Sequence, residues 1–516
     1  MNKNKIISYS FFAVLIILFI IRLVLITKID LIPEEAYYWQ WSRHLSLSYY
    51  DMSPMVAYTI ALTTLFGKLN SQLFVRLAAP VISLVLSLCV YLALKKITNN
   101  NLLPLLWGVL LNAIPIFNVG SILIVYGNLQ MLFFALTILF LIYLIMTKKD
   151  FYWYLIGIST GLAMLSKYTA VFIYPAVFLF LILSVNYRKY FFRKEPYLAF
   201  LISVALFSQV IIWNYLNNFI SFRHLMTLSG HFAGFGAFLS NLFLFILSQT
   251  GIVSPFIFII MLISIFAGFY LGLKENNDIY LMLSTSSLTP FLYFIYQCAR
   301  TAVQPNWPVF LYFPAFLLSF ILILRLNLNL KSQKLKNIMT YFYALSFAAG
   351  LVFSLIIFLE PYYPLINIKI SKSPIKDVLG WKKLGHYVGR ELAAHKKDNL
   401  LIAARRFQMA SELAYYVRER PQTYSFNYFI RDNEYAFWNN FNDKKGRNFL
   451  YIIDTKYGKN IENRLCKNFK SCLPLKKIVI KDGNETVRTV KIYLLKYFLY
   501  KDKYKYLFKK FSSKKF

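Results

Sequence analysis

Long apolar runs separated by short polar loops dominate the first 360 residues of the chain. A further apolar stretch at 239–250 is too short to span a membrane and is expected at its interface. The pattern predicts an α-helical integral membrane protein with about 11 transmembrane helices, within two either way. The predicted spans lie near residues 8–27, 73–94, 102–118, 121–146, 153–168, 171–186, 197–214, 252–272, 279–297, 308–325 and 338–359.

The pattern changes after residue 360 to mixed polar sequence with short apolar runs. Strand-length runs alternate with helix-like stretches at 376–394 and 407–418, and Asp482-Gly-Asn separates two further runs as a hairpin signal. We therefore expect a transmembrane domain over 1–359 and a small α/β domain over 360–516. The predicted strands are Leu400–Ala404, Gln422–Phe426, Phe449–Asp454, Lys476–Ile480 and Val487–Leu495.

The last stretch, Tyr497–Phe516, interleaves lysine with tyrosine and phenylalanine. It fits a frayed tail and a strip resting on anionic lipid equally well.

Basic residues in the loops predict the orientation of the helices. The N-terminal apolar run is too long for a typical signal peptide and lacks a small-residue cleavage site, so it is expected to stay as the first helix. With a cytoplasmic N-terminus, lysine and arginine concentrate in the inside loops 95–101, 147–152, 187–196, 273–278 and 326–337. The α/β domain then lies outside, in the periplasm of a Gram-negative bacterium, where no ATP or nucleotide sugar is available.

Composition supports the membrane assignment and argues against nucleic acid. The chain is 58% hydrophobic and only 15% charged, so its apolar surface exceeds what one water-soluble core can hide. The formal net charge of +35 is spread between apolar runs and over the last third. Such flanking charges set topology and contact lipid headgroups, and we expect no nucleic-acid partner.

The first outside loop carries the strongest chemical signal. Glu34 and Glu35 follow the first span directly, and a third acid, Asp51, follows a short predicted helix. A carboxylate at the membrane boundary can serve as general base for an acceptor hydroxyl. Equally, Glu34 and Glu35 suit the positive end of a predicted helix over 36–45. Spacing alone does not choose between these interpretations.

Aromatic and basic residues on the same predicted face could bind a sugar phosphate. Aromatic rings in the first loop can stack on sugars, although such rings also collect at any membrane interface. Cations around an acidic loop suit a phosphate-bearing lipid, although each one singly fits a snorkelling or ion-paired side chain. The candidate substrate-binding residues are Tyr37, Tyr38, Lys167, Tyr168, Arg223, His224, Arg300, Asn306 and Trp307.

Several motifs resemble those of bacterial family-39-type transferases of the GT-C superfamily, relatives of protein O-mannosyltransferases and of lipid A aminoarabinose transferase. Glu34-Glu-Ala-Tyr-Tyr-Trp with Tyr49-Tyr-Asp-Met-Ser-Pro is similar to the family's first-loop signature. Similar segments continue through Gly161-Leu-Ala-Met-Leu-Ser-Lys-Tyr-Thr-Ala and Pro305-Asn-Trp-Pro to Ala410-Ser-Glu-Leu-Ala-Tyr-Tyr. The resemblance covers most of the chain.

The resemblance implies transfer of a sugar from a polyprenyl (undecaprenyl) phosphate carrier, with inversion, to lipid A or another envelope glycan. The family's first-loop Asp corresponds to Glu34 and its neighbouring Glu to Glu35. Asn128 stands where the family often has a second Asp, and an amide cannot take up a proton. A lipid A phosphate as acceptor would need little base assistance.

Other functions remain open at this level. A flippase of lipid-linked sugars, a protein O-glycosyltransferase and a non-catalytic envelope scaffold are the alternatives. Transporters commonly show internal repeats and broken helices, which the sequence does not display clearly. No zinc-type cluster or nucleotide-binding loop occurs, so neither a cofactor nor a metal is indicated. Cys466 and Cys472 lie in the predicted outer domain, where a disulfide can form, and we expect them to be bonded.

Overall fold

The computed structural model describes residues 3–232, 234–329, 331–360, 362–363, 365, 373–426, 432–438, 441–458, 461 and 463–500. Most of the tail 497–516 therefore lies outside the described residues. Among these residues, eight helices are long and apolar enough to cross a membrane, and four shorter apolar helices accompany them. The predicted multi-pass helical membrane fold with a C-terminal sheet domain is confirmed.

The helices of the membrane part follow one another with short connections. Turns of 3-10 helix at Leu111–Ala113, Tyr168–Phe172, Arg188–Phe192 and Val309–Leu311 extend or join them. The α-helices are α1 (Lys3–Leu25), α2 (Pro33–Arg43), α3 (Met55–Thr63), α4 (Gln72–Arg76), α5 (Ala78–Thr98), α6 (Leu102–Leu110), α7 (Pro115–Gly120), α8 (Tyr126–Thr147), α9 (Phe151–Ser166), α10 (Ile173–Leu183), α11 (Lys194–Leu216), α12 (Ile220–Leu228), α13 (Phe235–Val253), α14 (Pro255–Lys274), α15 (Asp278–Cys298), α16 (Tyr312–Asn329) and α17 (Gln333–Leu359).

Two faces of the bundle are distinguished by the contacts between its loops. On one face, Ser184 Oγ donates to Asp278 Oδ1 at 2.5 Å, Arg193 Nη2 to Asp150 Oδ2 at 2.7 Å, and Arg325 Nη2 to Glu275 Oε1 at 2.6 Å. This face carries the basic loops, and we call it the basic face. The segments 26–71, 217–232 and 299–308 lie at the other ends of the helices, which we call the site face.

The helix α13 corrects one detail of the sequence prediction. It has 19 residues, so the stretch around 239–250 is not too short to span. Both halves nevertheless contact the end of α15, the start of α16 or the loop between them. Asn241 Nδ2 donates to the Cys298 carbonyl at 3.0 Å, and the Gln249 side chain bonds to the Pro305 carbonyl and to the Tyr312 hydroxyl. In the described chain α13 therefore stays on the site face, and eleven apolar passes remain.

The C-terminal domain is a mixed sheet with helices. Its strands are β1 (Leu401–Ala404), β2 (Thr423–Ser425), β3 (Phe449–Asp454), β4 (Phe469–Asp482) and β5 (Glu485–Phe498), in the order β2-β1-β3-β5-β4. The β1 strand pairs in parallel with both β2 and β3, while β5 is antiparallel to β3 and β4. Each of the five strands overlaps a predicted run, and β4 begins seven residues before its predicted start. The helices are α18 (Trp381–Ala394), α19 (Phe407–Tyr416), α20 (Tyr435–Trp438) and α21 (Asn463–Cys466), with 3-10 turns at Pro374–Val378, Lys396–Asp398 and Asn442–Lys444.

The sheet domain docks on the first loop of the membrane part through α19, which packs against α2. The Tyr416 hydroxyl accepts a hydrogen bond from the Leu31 amide at 2.6 Å, and the Tyr415 hydroxyl donates to the Asn70 carbonyl at 3.0 Å. The rings of Tyr37 and Phe407 lie 4.5 Å apart. The α2 helix is thereby covered on both sides, by the bundle and by the sheet domain.

Candidate active site

Glu35 forms a buried ion pair with Arg76, and both of its carboxylate oxygens accept hydrogen bonds from the protein. Its carboxylate accepts hydrogen bonds from Arg76 Nε at 2.9 and 3.0 Å and from Arg76 Nη2, and both side chains are fully buried. The amides of Ile124 and Ile32 donate to the same carboxylate at 2.8 and 3.1 Å. The bond from Ile32 closes the first turn of α2, as the capping interpretation expected. Every lone pair of Glu35 therefore has a donor, which leaves no acceptor site for a substrate proton.

Arg76 uses its remaining donors on the backbone that precedes α2. It donates to the carbonyls of Ile26, Ile29 and Asp30 at 2.9 to 3.1 Å. The ion pair thus fixes the end of α1, the start of α2 and the loop before α8 relative to one another.

Glu34 points away from this ion pair and is exposed. It borders a crevice between α2 and the sheet domain, together with Arg405 and Arg406. Because residues four apart lie on one face of a helix, Glu34 and Tyr38 line the same face of α2. The structure therefore separates the two adjacent acids, with one accessible and one saturated.

Lys167 lies on the continuation of this face. The Tyr38 ring contacts the Tyr126 ring edge to face at 5.8 Å, and Lys167 Nζ is 5.4 Å from the Tyr126 centroid. Lys167 is only 4% exposed, and the described part of the chain places no carboxylate within 4 Å of its ammonium. A buried cation without an acid partner is costly, so the position favours an anionic ligand.

Asp51 joins the first loop to the sheet domain. Tyr37 Oη donates to Asp51 Oδ2 at 2.7 Å and accepts from the Glu434 amide at 2.7 Å. The Tyr50 amide in turn donates to Glu434 Oε2 at 2.6 Å. Burial, and secondarily the charge of Asp51, raises the pKa of Glu434 to about 8. The two carboxyls are thus linked through Tyr37 at the domain junction.

The raised pKa of Glu434 predicts a pH-dependent stability. The folded chain keeps a proton at Glu434 between the ordinary pKa of 4.5 and about 8, whereas the unfolded chain has lost it. Stability therefore declines as pH rises through this window, by at most about 1.4 kcal/mol per pH unit, and levels off above it. Melting temperatures of the purified protein from pH 5 to 9 measure this slope. Glu434→Gln is expected to flatten it, and Glu419→Gln, at an 80% exposed acid, to leave it unchanged.

One result would contradict the assignment of this pH dependence to Glu434. Equal pH dependence of the melting temperature in the wild type and Glu434→Gln would assign the slope to other groups.

Tyr168 and His224 also face the first loop. The Tyr168 hydroxyl lies 3.2 Å from Ser221 Oγ and 3.4 Å from Ser48 Oγ. The His224 ring is buried, and its centroid is 4.7 Å from that of Tyr50. The neighbouring Arg223 is exposed. These contacts tie α12 and the end of α9 to the loop that carries Asp51.

The predicted residues on the α15–α16 loop lie elsewhere on the site face. Arg300 donates to the Gly230 carbonyl at 2.9 and 3.2 Å and to Tyr296 Oη at 3.4 Å. Asn306 is exposed and Trp307 is half-buried. In the described residues no hydrogen bond or ion pair joins these three to the first loop. Arg300 orders the loop before α13.

Asn128, which replaces the family's second Asp, has a structural task. Its Nδ2 donates to the carbonyls of Gly120 and Leu123, both at 2.5 Å, and so closes the turn between α7 and α8. Asn128→Asp is expected to destabilise the protein by about 1–3 kcal/mol, because a carboxylate cannot donate to these carbonyls. Thermal unfolding of the purified variant measures the loss. A more active and equally stable Asn128→Asp variant would instead show that the site tolerates the second acid.

A matched control for this variant lies one residue away. A Cβ added at Gly127 meets no atom within 4 Å, so Gly127→Ala is expected to keep wild-type stability.

Three site residues escaped the sequence reasoning. Arg76 is a lone cation at the start of an apolar run, and that position was its only signal. No feature of the sequence indicated a role for Glu434 in the site. Glu412 on α19 is fully buried, and both its carboxyl oxygens lack hydrogen-bond partners in the described chain. Burial raises the pKa of Glu412 well above its usual value, which favours the neutral form of this carboxyl beside the first loop.

Sulfur and metal chemistry add little to the site. Cys466 and Cys472 form a disulfide with Cα atoms 5.7 Å apart, beside the first residues of β4. Among the described residues no group of three or more histidine, cysteine or acidic side chains is arranged to hold a metal ion.

Comparisons with known proteins identify a related family and a related sequence. Residues 51–213 match the family described as dolichyl-phosphate-mannose-protein mannosyltransferase. The lipid A galacturonosyltransferase RgtD of Rhizobium johnstonii is 26% identical over 287 residues, covering 55% of this chain and 58% of that protein. The match thus spans little more than half of that relative.

Solved structures share the architecture. ArnT from Cupriavidus metallidurans, in the apo state and bound to undecaprenyl phosphate, superposes with a TM-score of 0.60 at 12% identity. The superposition covers 94% of this chain and 97% of that protein. The resemblance predicted from the motifs is confirmed, and the chain shares the fold of ArnT.

Proposed function

We propose that this chain, which matches the mannosyltransferase family over residues 51–213 and has the fold of ArnT, is a membrane glycosyltransferase. It moves a sugar from a polyprenyl phosphate carrier, such as undecaprenyl phosphate, to lipid A or another envelope acceptor. The proposal rests on two residues: Glu34 is exposed on one face of α2, and Tyr38 on that face contacts Tyr126, over which Lys167 lies. Lys167 is buried and has no acidic partner among the described residues. The names of RgtD and of the ligand-bound ArnT support both substrates.

The proposed reaction is a direct displacement at the anomeric carbon. The acceptor hydroxyl attacks this carbon from the side opposite the carrier, and a new C–O bond forms with inversion. The bond from the anomeric carbon to the carrier's phosphate oxygen breaks, and its electron pair leaves with the phosphate. Glu34 takes the hydroxyl proton as general base, and Lys167 holds the departing phosphate monoester through charge-assisted hydrogen bonds.

Other predicted residues receive supporting roles. Tyr37 and Asp51 position the first loop against the sheet domain, and Tyr38 separates the base from the phosphate subsite. Tyr168 and His224 shape the wall formed by α12. Glu35 is a positioning residue for α2, because its oxygens are saturated.

An apolar groove offers room for the carrier's chain. A cavity of about 500 Å³ opens between α9, α10 and α11, lined among others by Ile156, Thr160 and Phe178. The same α9 helix ends at Lys167. An isoprenoid chain lying in this groove would have its phosphate end directed along α9 toward the site face.

The basic face supports a defined orientation. Its loops hold most of the short-loop lysines and arginines, so this face and the N-terminus are proposed to be cytoplasmic. The site face and the sheet domain then lie in the periplasm of a bacterial inner membrane.

The test uses purified full-length protein with an undecaprenyl phosphate sugar and lipid A, followed by mass spectrometry of the acceptor. We expect a mass gain of one sugar, and for Lys167→Met at least a tenfold higher KM for the carrier. If the protein moves the carrier across vesicle membranes and transfers no sugar, it is a flippase and not a glycosyltransferase. Transfer to protein rather than lipid A would make it a protein O-glycosyltransferase.

A further inference from the structure

The crevice beside Glu34 is built by the sheet domain at a topological switch point. The chain leaves the carboxyl end of β1 toward β2 on one side, and then returns to β3 on the other side of β1. In sheets of parallel strands, ligands bind in the crevice outside the carboxyl ends where the order reverses in this way. Arg405 and Arg406 follow β1 directly, and Tyr457 follows β3. All three line a cavity of about 110 Å³.

Two of the three arginines of this crevice are bound within the protein. Arg488 from β5 stacks on the Trp381 ring at 3.5 Å and donates to the Lys376 carbonyl at 2.6 Å. Arg405 donates to the Tyr457 carbonyl. The third, Arg406, lies over the Tyr457 ring at 4.2 Å, and its buried Nε has no hydrogen-bond partner in the described chain. A guanidinium with a buried unused donor favours an oxyanion, which it can bind with two parallel hydrogen bonds.

The start of α19 contributes a second attraction for an anion. Arg406 is the residue before the first turn of this 10-residue helix, and no side chain caps the turn. The first backbone amides of a helix carry partial positive charge and are well suited to bind phosphate. Gln408 in this turn also lines the crevice, and within the described residues its buried Oε1 has no hydrogen-bond partner. A hydroxyl of the ligand can donate to this oxygen.

Glu34 connects the crevice to the proposed transfer site. It lines the crevice from the membrane side, while Tyr38 on the same face of α2 leads to Tyr126 and Lys167. Arg406 lines the same crevice as Glu34, and Lys167 is connected to this face of α2 through Tyr126 and Tyr38. A two-substrate transfer needs this arrangement, with one phosphate site for the donor and another for the acceptor.

We propose that the switch-point crevice of the sheet domain is an acceptor subsite, in which Arg406 and the start of α19 bind a phosphate group on the acceptor's saccharide head group. This inference rests on the proposed function. A phosphate held in the crevice positions a sugar hydroxyl of the same head group beside Glu34. A hydroxyl of this head group donates a hydrogen bond to Gln408 Oε1. The sheet domain then selects phosphorylated acceptors.

The test is a binding measurement on the full-length protein in detergent. The probes are a diphosphorylated glucosamine disaccharide, the same disaccharide without phosphates, and undecaprenyl phosphate. We expect the wild type to bind the phosphorylated disaccharide at least tenfold more tightly than the dephosphorylated one. Arg406→Ala is expected to lose this tenfold preference, with unchanged affinity for undecaprenyl phosphate and, in transfer assays, a raised acceptor KM at similar kcat.

Two further variants separate binding from folding. Arg406→Lys keeps a charge over Tyr457 without the fork of donors, and is expected to show an intermediate preference. Arg418, 94% exposed on the same domain, provides the matched control Arg418→Ala, which is expected to bind all probes as the wild type does. Lys167→Met is expected to lose undecaprenyl phosphate and keep the disaccharide.

The outcomes distinguish this inference from the proposed function. Equal binding of the two disaccharides, or an undiminished preference in a folded Arg406→Ala variant, overturns the acceptor subsite even if transfer is observed. If the preference for the phosphorylated disaccharide depends on Arg406 but no sugar transfer occurs under any condition, the phosphate subsite is supported and the proposed transferase function is overturned.

Discussion

Glu34→Gln is expected to abolish sugar transfer to a hydroxyl acceptor, lowering kcat by about 10²–10⁴-fold. Glutamine keeps the size of the side chain but cannot take up the acceptor's proton. Glu34 is exposed at the crevice, so the substitution leaves the buried contacts of α2 in place. Steady-state kinetics of the purified variant with the carrier-linked sugar measure the effect, and binding of undecaprenyl phosphate should stay unchanged.

Two comparisons sharpen this prediction. Glu34→Asp restores the carboxylate of the related family one methylene shorter, so it should keep a measurable fraction of the rate. Glu419→Gln removes an exposed acid of the sheet domain and should have full activity. A Glu34→Gln variant with a rate within about threefold of the wild type on a hydroxyl acceptor would remove Glu34 from the role of base.

Loss of one partner of the Glu35–Arg76 pair should have the largest effect on stability. Arg76→Met leaves the Glu35 carboxylate buried without its cation, and Glu35→Gln leaves the guanidinium without its anion. Each substitution is expected to lower the free energy of unfolding by about 3–5 kcal/mol. The double variant Glu35→Gln/Arg76→Met should recover part of this loss, because it buries no lone charge. Thermal unfolding in detergent, monitored by a folded-state ligand or by intrinsic fluorescence, measures all three.

The same series distinguishes the two neighbouring acids. Glu35→Gln should lower the melting temperature, with activity falling only as far as folding does. Glu34→Gln should keep the wild-type melting temperature and lose its activity. A Glu35→Gln variant that melts like the wild type and transfers no sugar would reverse the assignment and make Glu35 the base.

Local patterns predicted the helices and strands well, because each records a short-range property of the chain. Long apolar runs must be helical in a membrane, since every backbone polar group needs an internal partner there. The runs that became β1 and β3 are short, apolar and flanked by polar turns, which favours buried strands. The hairpin of β4 and β5 followed from Asp482-Gly-Asn between two such runs.

The roles of Glu34 and Glu35 were not separable from the sequence. Adjacent helix residues point about 100° apart, so one of them had to face the bundle. Which one did so depends on Arg76, 41 residues further on, and on the Ile124 amide. Glu434 is a stronger case, since its partner Tyr50 lies 384 positions earlier. No periodicity connects residues so far apart.

Hydropathy also cannot distinguish a crossing helix from a surface one when both have the same length. The α13 helix meets the length and apolarity of a span, yet its first half bonds to the end of α15 and its second half to the start of α16. Its position follows only from those tertiary contacts.

The docking of the sheet domain on α2 has a consequence for biosynthesis. The rings of Tyr37 and Trp39 are buried partly by Phe407 and Tyr415, which are translated more than 350 residues later. At typical synthesis rates of about 5–20 residues per second, the first loop waits roughly 20–70 s for these partners. During that time its aromatic side chains are uncovered outside the lipid, where they can aggregate or be cleaved. A nascent chain that stops before residue 400 is therefore expected to be a substrate for chaperones and proteases on the side of the membrane that holds the site face.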